Sequence, residues 1–475
     1  MPAALLLLAA LAQGAVPVET LARQARDDFQ AGKYVPARDK LRQALKQSPS
    51  NPALWSFLGL TEAQLDDLDA AIADFQKTLA LAPDDAQSFF NLGLLYGRRS
   101  QTAKAVDAYQ QGLKLEPDNT AAMQNYALLL MTQNRFREAA LLLEKLRSIA
   151  ARNLPLRFTL IECYAKSGMK SELAHEIQSI LESPGLTSAD SLRLAKVLLE
   201  DQQRESAEVV LQHAIGLAPE SAEAHYDLGL LLLDRSQYED ATREFGRAAQ
   251  LDSQSAPYSM RLAESLILWK HYGAALEFLT AVKDRFESLS DYRYKLGLSY
   301  YGLHQFPKAI AQFEGIAQEQ PKLDTVQFFL GNCYGGVGDL EKAESHYRRA
   351  IQLQPGKAAY YTALSQVLRN ISDENTDEAI ANLEKALSLD AAGVAAKHEL
   401  GLCYIRKGNY AKAQSLLEDV VLKEPGLTAA HVALAQTYYR LRKKEAGDRE
   451  RAIVARLQAE ERARQAELRN AAPRP

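Results

Sequence analysis

Some short motifs in this sequence hold residue types that do chemistry. His175-Glu176 and His398-Glu399 start as zinc-protease helices do, where a second His four residues after the first completes the ligand pair. Ser179 and Leu402 stand at those places, so the second ligand is missing. Gly335, Gly336 and Gly338 approximate a phosphate-cradling loop, but such a loop follows a strand, and these follow the helical pattern Phe328 to Tyr334. They read as a turn. Asp373, Asn375, Asp377 and Glu384 fit the liganding positions of a calcium loop, yet Glu378 holds the place that needs a sharp-turn Gly. Ala379, Leu383 and Ala386 then continue a helical face, so Asn375 to Asp377 reads as a helix cap. Asn370-Ile371-Ser372 is a glycosylation sequon.

Cys163, Cys333 and Cys403 each lie beside a Tyr in an apolar helical pattern and read as small buried hydrophobes, not as a disulfide framework. The 8 His do not cluster at metal-ligand spacings, and no nucleophile stands with a base and an orienting group. The expectation is a protein that is not an enzyme and that uses no metal or cofactor. With 24% charged residues, a net charge of -4 and a pI near 6.1, the chain has no basic surplus to neutralise phosphates, which argues against nucleic acid as partner. The apolar run Met1 to Gly14 ends in Ala12-Gln13-Gly14, so residues 1–17 are expected to be a signal peptide and the protein exported, periplasmic or secreted, with a cytoplasmic location as the alternative. No stretch is apolar for the ~20 residues that a membrane span needs.

What positions all these residues is a period. Leu58-Gly59, Leu92-Gly93, Leu228-Gly229, Leu296-Gly297, Leu330-Gly331 and Leu400-Gly401 recur at multiples of 34, with two extra residues in the last interval. An Ala follows each Gly by twelve positions, and a large apolar residue follows by sixteen: Phe75, Tyr109, Phe245, Phe313, Tyr347 and Leu417. Pro49, Pro83, Pro117, Pro219, Pro321, Pro355 and Pro425 close their copies, since Pro cannot continue a helix. Apolar residues three and four apart give each helix one buried face, and the Gly and Ala thin the side chains where paired helices approach. Where the Gly column reads Ala127, Ile161, Ala195, Ala263 or Ser365, looser or shifted packing is expected.

In its period and columns the chain resembles the tetratricopeptide repeat family from Val18 to about Arg440. Copies begin near residues 18, 52, 86, 120, 154, 188, 222, 256, 290, 324, 358, 394 and 428. The resemblance implies an all-α fold, a right-handed superhelical solenoid of antiparallel helix pairs. The expected organisation is an N-terminal array over 18–153, an irregular joint over 154–187 where Pro155, Pro184 and Gly185 break the phase, a C-terminal array over 188–440, and a charged capping helix and tail over 441–475.

The same resemblance implies that first helices line an inner surface that holds other proteins as extended peptides or helices. Carried over by position, the groove residues are Asn91, Asn125, Leu192, Arg193, Tyr226, Met260, Arg261, Tyr294, Lys295, Tyr301 and Phe328. Asn91 and Asn125 resemble the asparagine ladders of related superhelices. Arg193, Arg261 and Lys295 suggest contact with carboxylates. The function expected is a protein-interaction scaffold or assembly factor, or else the regulatory or substrate-selecting subunit of a separate enzyme.

Overall fold

The computed structural model describes residues 16–147 and 153–471, and in them each copy of the period is a helix, a turn and a helix. First helices begin at Val18, Pro52, Ala86, Thr120, Leu154, Ser188, Ala222, Ala256, Ser290, Asp324, Ala358, Val394 and Thr428, the starts that the columns predict. No strand occurs among the described residues. The chain divides into two compact units, Met1–Pro219 with six helix pairs and Glu220–Pro475 with seven. The segment expected as a joint forms the fifth pair, Leu154–Ser167 and Lys170–Leu181, while the division into units falls in the loop after the sixth. The expected leader lies, but for its last two residues, outside the described residues.

Local chemistry explains the element ends. Asn51, Asn119, Asn153, Ser221 and Ser255 stand just before first helices and accept a backbone N–H from the first turn, while Thr187 and Asp190 form a reciprocal capping box. Each column Pro stands two residues past the last residue of a second helix. The turn inside a pair needs one left-handed residue. Gly32, Gly168, Gly338 and Gly408 supply it in four copies, but Asp66, Ser100, Asn134, Gln202, Ser236, Lys270, His304 and Arg442 supply it in eight others at φ of 56 to 63°. In the eleventh pair a short 3₁₀ turn, Asp373–Asn375, takes its place. There Ser372, not Asn375, accepts the capping N–H, from Glu374.

The core repeats one contact. A β-carbon on Gly93, Gly229, Gly297 or Gly331 would meet the ring of the residue sixteen positions on at 2.6–2.8 Å, so the Gly column is what lets an aromatic side chain lie on the partner helix. Where the column carries Ala127, Ala195 or Ala263, the facing residue is Leu143, Leu211 or Leu279, and all six are 0–2% exposed. The smaller facing residue accommodates the extra methyl, and the second helices opposite Ala127 and Ala263, Phe136–Glu144 and Tyr272–Ala281, are shorter than those opposite the Gly column.

Neighbouring pairs are tied by a second column. Tyr164, Tyr334, Tyr404 and Tyr438 donate their phenol hydroxyls to Glu144, Glu314, Glu384 and Glu418, each twenty residues earlier on the preceding second helix, at 2.8, 2.5, 3.3 and 2.7 Å. Gln76 donates to Tyr96 in the same way, and Arg42 to Glu62 replaces the pair nearest the N-terminus. Within pairs, Arg157–Glu176, His225–Glu244 and His431–Glu450 join first to second helix at a constant spacing of nineteen. Both members of the first are about 95% buried, and Ser179 and Ser183 take up the remaining guanidinium donors. The charged segment from Leu441 does not start as a separate cap. Lys444–Ala471 is one helix whose beginning is the second helix of the thirteenth pair, with Gly447 against the Tyr439 ring.

Candidate functional site

The residues whose types could do chemistry are taken up by the fold. Cys163, Cys333 and Cys403 are fully buried, and burial pushes their thiols up to about 12, 12 and 11. Glu176 belongs to the buried Arg157 pair, and Glu399 accepts from Arg369 at 3.1 Å. Of the calcium-like set, Asp373 pairs with Arg406 and Asp377 with Lys407, both on the next repeat, while Glu384 accepts from Tyr404.

The residues expected to line a groove fall in both units. In Glu220–Pro475 the first helices carry Tyr226, Tyr294, Tyr301 and Phe328, all half-buried, the last three in one chain of ring contacts. Tyr226 meets Tyr258 at 4.8 Å, Tyr294 and Tyr301 both meet Phe329, and Phe328 stacks on Tyr360 at 4.8 Å. Met260 is buried, in a separate core cluster with Leu279, Phe286 and Tyr292. The cations of this face are engaged within the chain: Arg261 pairs with Glu264 at 2.8 Å, and Lys295, only 8% exposed, pairs with Asp291 at 2.7 Å. The ring chain ends at an open hollow of about 660 Å³. Tyr301, Phe328, Asn332, Thr362 and Gln366 form its floor, alanines of the eleventh and twelfth first helices its wall, and Asp390 and Glu424 an acidic edge. Asn332 accepts from the Tyr347 hydroxyl at 2.6 Å. Burial lowers the pKa of His398, on the twelfth first helix.

In Met1–Pro219 the face is different. Leu192 is buried, and Arg193 is exposed with its guanidinium over the Phe158 ring at 5.9 Å. Asn125 is exposed. The amide oxygen of Asn91 accepts from Gln87 at 3.4 Å, while its Nδ2 is buried without a partner. Beside these amides stand Leu60, Leu94 and Leu128, exposed by 39, 48 and 52%. A hollow of about 910 Å³ opens at the Leu60 end, lined by Arg26, Phe29, Ser56, Phe57 and Asp84 among others. The sequence reading missed these leucines because it followed the columns three before, two before and four after the Gly. They stand one after it, so the signal was present one position along.

Profiles of the tetratricopeptide repeat match residues 51–118, 370–437 and, in three further segments, 90–153, 192–259 and 294–358, together more than half of the chain. Tetratricopeptide repeat protein 37 of Xenopus laevis is 28% identical over 177 residues, which are 36% of this chain and 11% of that protein. Lipopolysaccharide assembly protein B of Escherichia coli (strain K12) is 24% identical over 291 residues, 60% of this chain and 66% of that protein. The chain thus spans a small part of the first relative and just under two thirds of the second. Among solved structures, the yeast Tom70 crystal structure is similar at 18% identity with a TM-score of 0.39, covering 94% of this chain and 96% of that one.

Proposed function

Because this chain belongs to the tetratricopeptide repeat family, we propose that it is a non-catalytic scaffold or assembly factor that holds segments of other proteins on the inner faces of its two units. The observation that carries the reading is the hollow at Tyr301, Phe328 and Thr362. It is concave, floored by aromatic and amide side chains, and edged by charge, which are the properties of a peptide-binding surface. Thiols held protonated by burial, and acidic residues already paired with Arg and Lys, support a chain that does no chemistry of its own. The relative named for lipopolysaccharide assembly favours an assembly role, and the leader-like Met1 to Gly14 favours export.

Site-specific photocrosslinking in intact cells tests this. A photoreactive residue at Gln366 or at exposed Ala395 captures partner protein, whereas one at Lys385 on the second helix of the eleventh pair does not. Ala359→Trp, which fills the hollow from an exposed position without removing a core contact, abolishes the adducts. Equal yields from Gln366 and Lys385, or adducts indifferent to Ala359→Trp, overturn the reading.

A further inference from the structure

Asp74 lacks the partner that its position has elsewhere in the array. Glu176, Glu244 and Glu450 hold the same place in the fifth, seventh and thirteenth repeats, and each pairs with a basic residue nineteen positions earlier, Arg157, His225 or His431. Nineteen positions before Asp74 stands Trp55, whose indole N–H donates to the Pro49 carbonyl at 2.8 Å. Asp74 is only 8% exposed, and its carboxyl makes no hydrogen bond or ion pair with any described residue. A carboxylate so buried is costly to leave without a counter-charge.

Twelve positions before Asp74, on the first helix of the same pair, comes a second carboxyl, the fully buried Glu62. Arg42 donates to Glu62 at 2.6 Å, which leaves two buried carboxyls to one guanidinium. Burial, and then the charge of Glu62, push the Asp74 carboxyl up to about 7. No residue of the chain fills the place of the missing cation. A hollow of about 320 Å³ opens beside Asp74, lined also by Trp55 and Leu58 of the second pair and by Arg42 and Lys46 of the preceding second helix, Tyr34–Gln47. Arg42 is engaged by Glu62, and Lys46 is exposed and forms no ion pair with Asp74. The hollow thus offers a carboxylate to pair with a cation, an indole ring to lie against it and apolar side chains for its methylene stem.

We propose that this hollow binds an arginine side chain of a partner protein, which takes from outside the place that Arg157 takes within the fifth repeat. Arginine suits it better than lysine, because a flat guanidinium can lie on Trp55 while it donates to Asp74, and because it is the more weakly hydrated cation. None of the residues expected to line a groove belongs to this site. It rests on the scaffold reading only for the kind of ligand, a protein segment.

Selection of a random peptide library on the immobilised full chain at pH 8, with peptides that also bind Asp74→Asn removed, tests it. The peptides that remain carry an arginine, and replacing it by citrulline, its uncharged analogue, weakens binding by about ten-fold or more. The charged groups that face Asp74 are Glu62 on the first helix of its pair, Asp67 at the start of its own helix, and Arg42 and Lys46 on the helix before. Only the ionised Asp74 carboxylate pairs with the guanidinium, so affinity falls by about ten-fold from pH 8 to pH 6. Lys46→Ala removes a competing charge and strengthens binding. Trp55→Arg supplies the cation within the chain and abolishes binding, while circular dichroism shows the helix content of the parent. A library in which no peptide distinguishes the parent from Asp74→Asn, peptides that bind equally with citrulline, or an affinity equal at pH 6 and 8 each overturn the inference. Adducts at Gln366 report on the scaffold reading separately, so either can fail alone.

Discussion

The Phe245 ring lies against Gly229, so close that a β-carbon there would stand 2.7 Å from its nearest carbon. Gly229→Ala gains up to ~1 kcal/mol of helix propensity but forces a fully buried ring aside, and a net loss of about 1–3 kcal/mol is expected. Adding Phe245→Leu recreates the Ala195 and Leu211 arrangement and restores most of that loss. A double-mutant cycle from urea unfolding measures the coupling, which should reach at least ~1 kcal/mol.

Eight turn residues other than Gly hold a left-handed backbone that costs L-residues roughly 1–2 kcal/mol. Replacing exposed Lys270 or Gln202 by Gly relieves that strain, partly offset by the greater freedom of Gly in the unfolded chain. Each change should stabilise by about 0.5–1 kcal/mol and raise the melting temperature. The converse change, Gly338→Ala at φ 85°, should lower it.

Asp74 lies 8% exposed near the fully buried Glu62, and its carboxyl is raised to about 7, by burial first and then by Glu62 and Asp67 against the opposing pull of Arg42. Its folded pKa lies above its unfolded one, so the folded chain binds the extra proton. The stability this brings is complete below pH ~4 and disappears as pH rises to about 7. In Asp74→Asn that decline flattens, and at pH 8 the variant exceeds the parent by roughly 1–3 kcal/mol. Urea unfolding at pH 5, 6, 7 and 8 reads the slope.

Tyr334→Phe removes the hydroxyl that donates to Glu314 at 2.5 Å and keeps the ring beneath Lys342. The expected cost is about 1–2 kcal/mol, as for a hydrogen bond to a charged group. Tyr300→Phe is the control, because the residue twenty positions earlier is Thr280, so no carboxylate tie is lost, while its ring lies under Lys308 as that of Tyr334 lies under Lys342. Hydrogen exchange should show faster opening at the junction of the ninth and tenth pairs for Tyr334→Phe alone.

The fold was legible in this sequence because one set of contacts recurs in phase. Leu58-Gly59 with Phe75, and its equivalents, fixed the helix starts to the residue. Less visible were contacts between columns. Ala127, Ala195 and Ala263 gain meaning only when paired with Leu143, Leu211 and Leu279 opposite, where the Gly column faces a ring or a Leu of its own. Tyr294, Tyr301 and Phe328 were legible as an aromatic face, but whether a ring lies in core or groove depends on neighbours such as Phe329 and Tyr360. The acidic partners of Arg261 and Lys295, at spacings of three and four on the same helices, were readable from the sequence and went unread. The leucine row escaped because leucine is ordinary in a helical array, and only exposure sets it apart.

The phenol-to-carboxylate ties are unevenly spread, and that has a mechanical meaning. They join the fifth, tenth, twelfth and thirteenth repeats to the one before, while Leu198, Leu232 and Leu266 occupy the tyrosine position in three successive repeats, the sixth to the eighth, with no hydroxyl to give. In a stack whose members touch only their neighbours, opening starts at the junction with the weakest tie and spreads from there. Pulled from its ends, this protein should yield first inside its length, one repeat at a time, and keep its terminal blocks folded. It would behave as a tether with built-in slack, lengthening under load before it lets go.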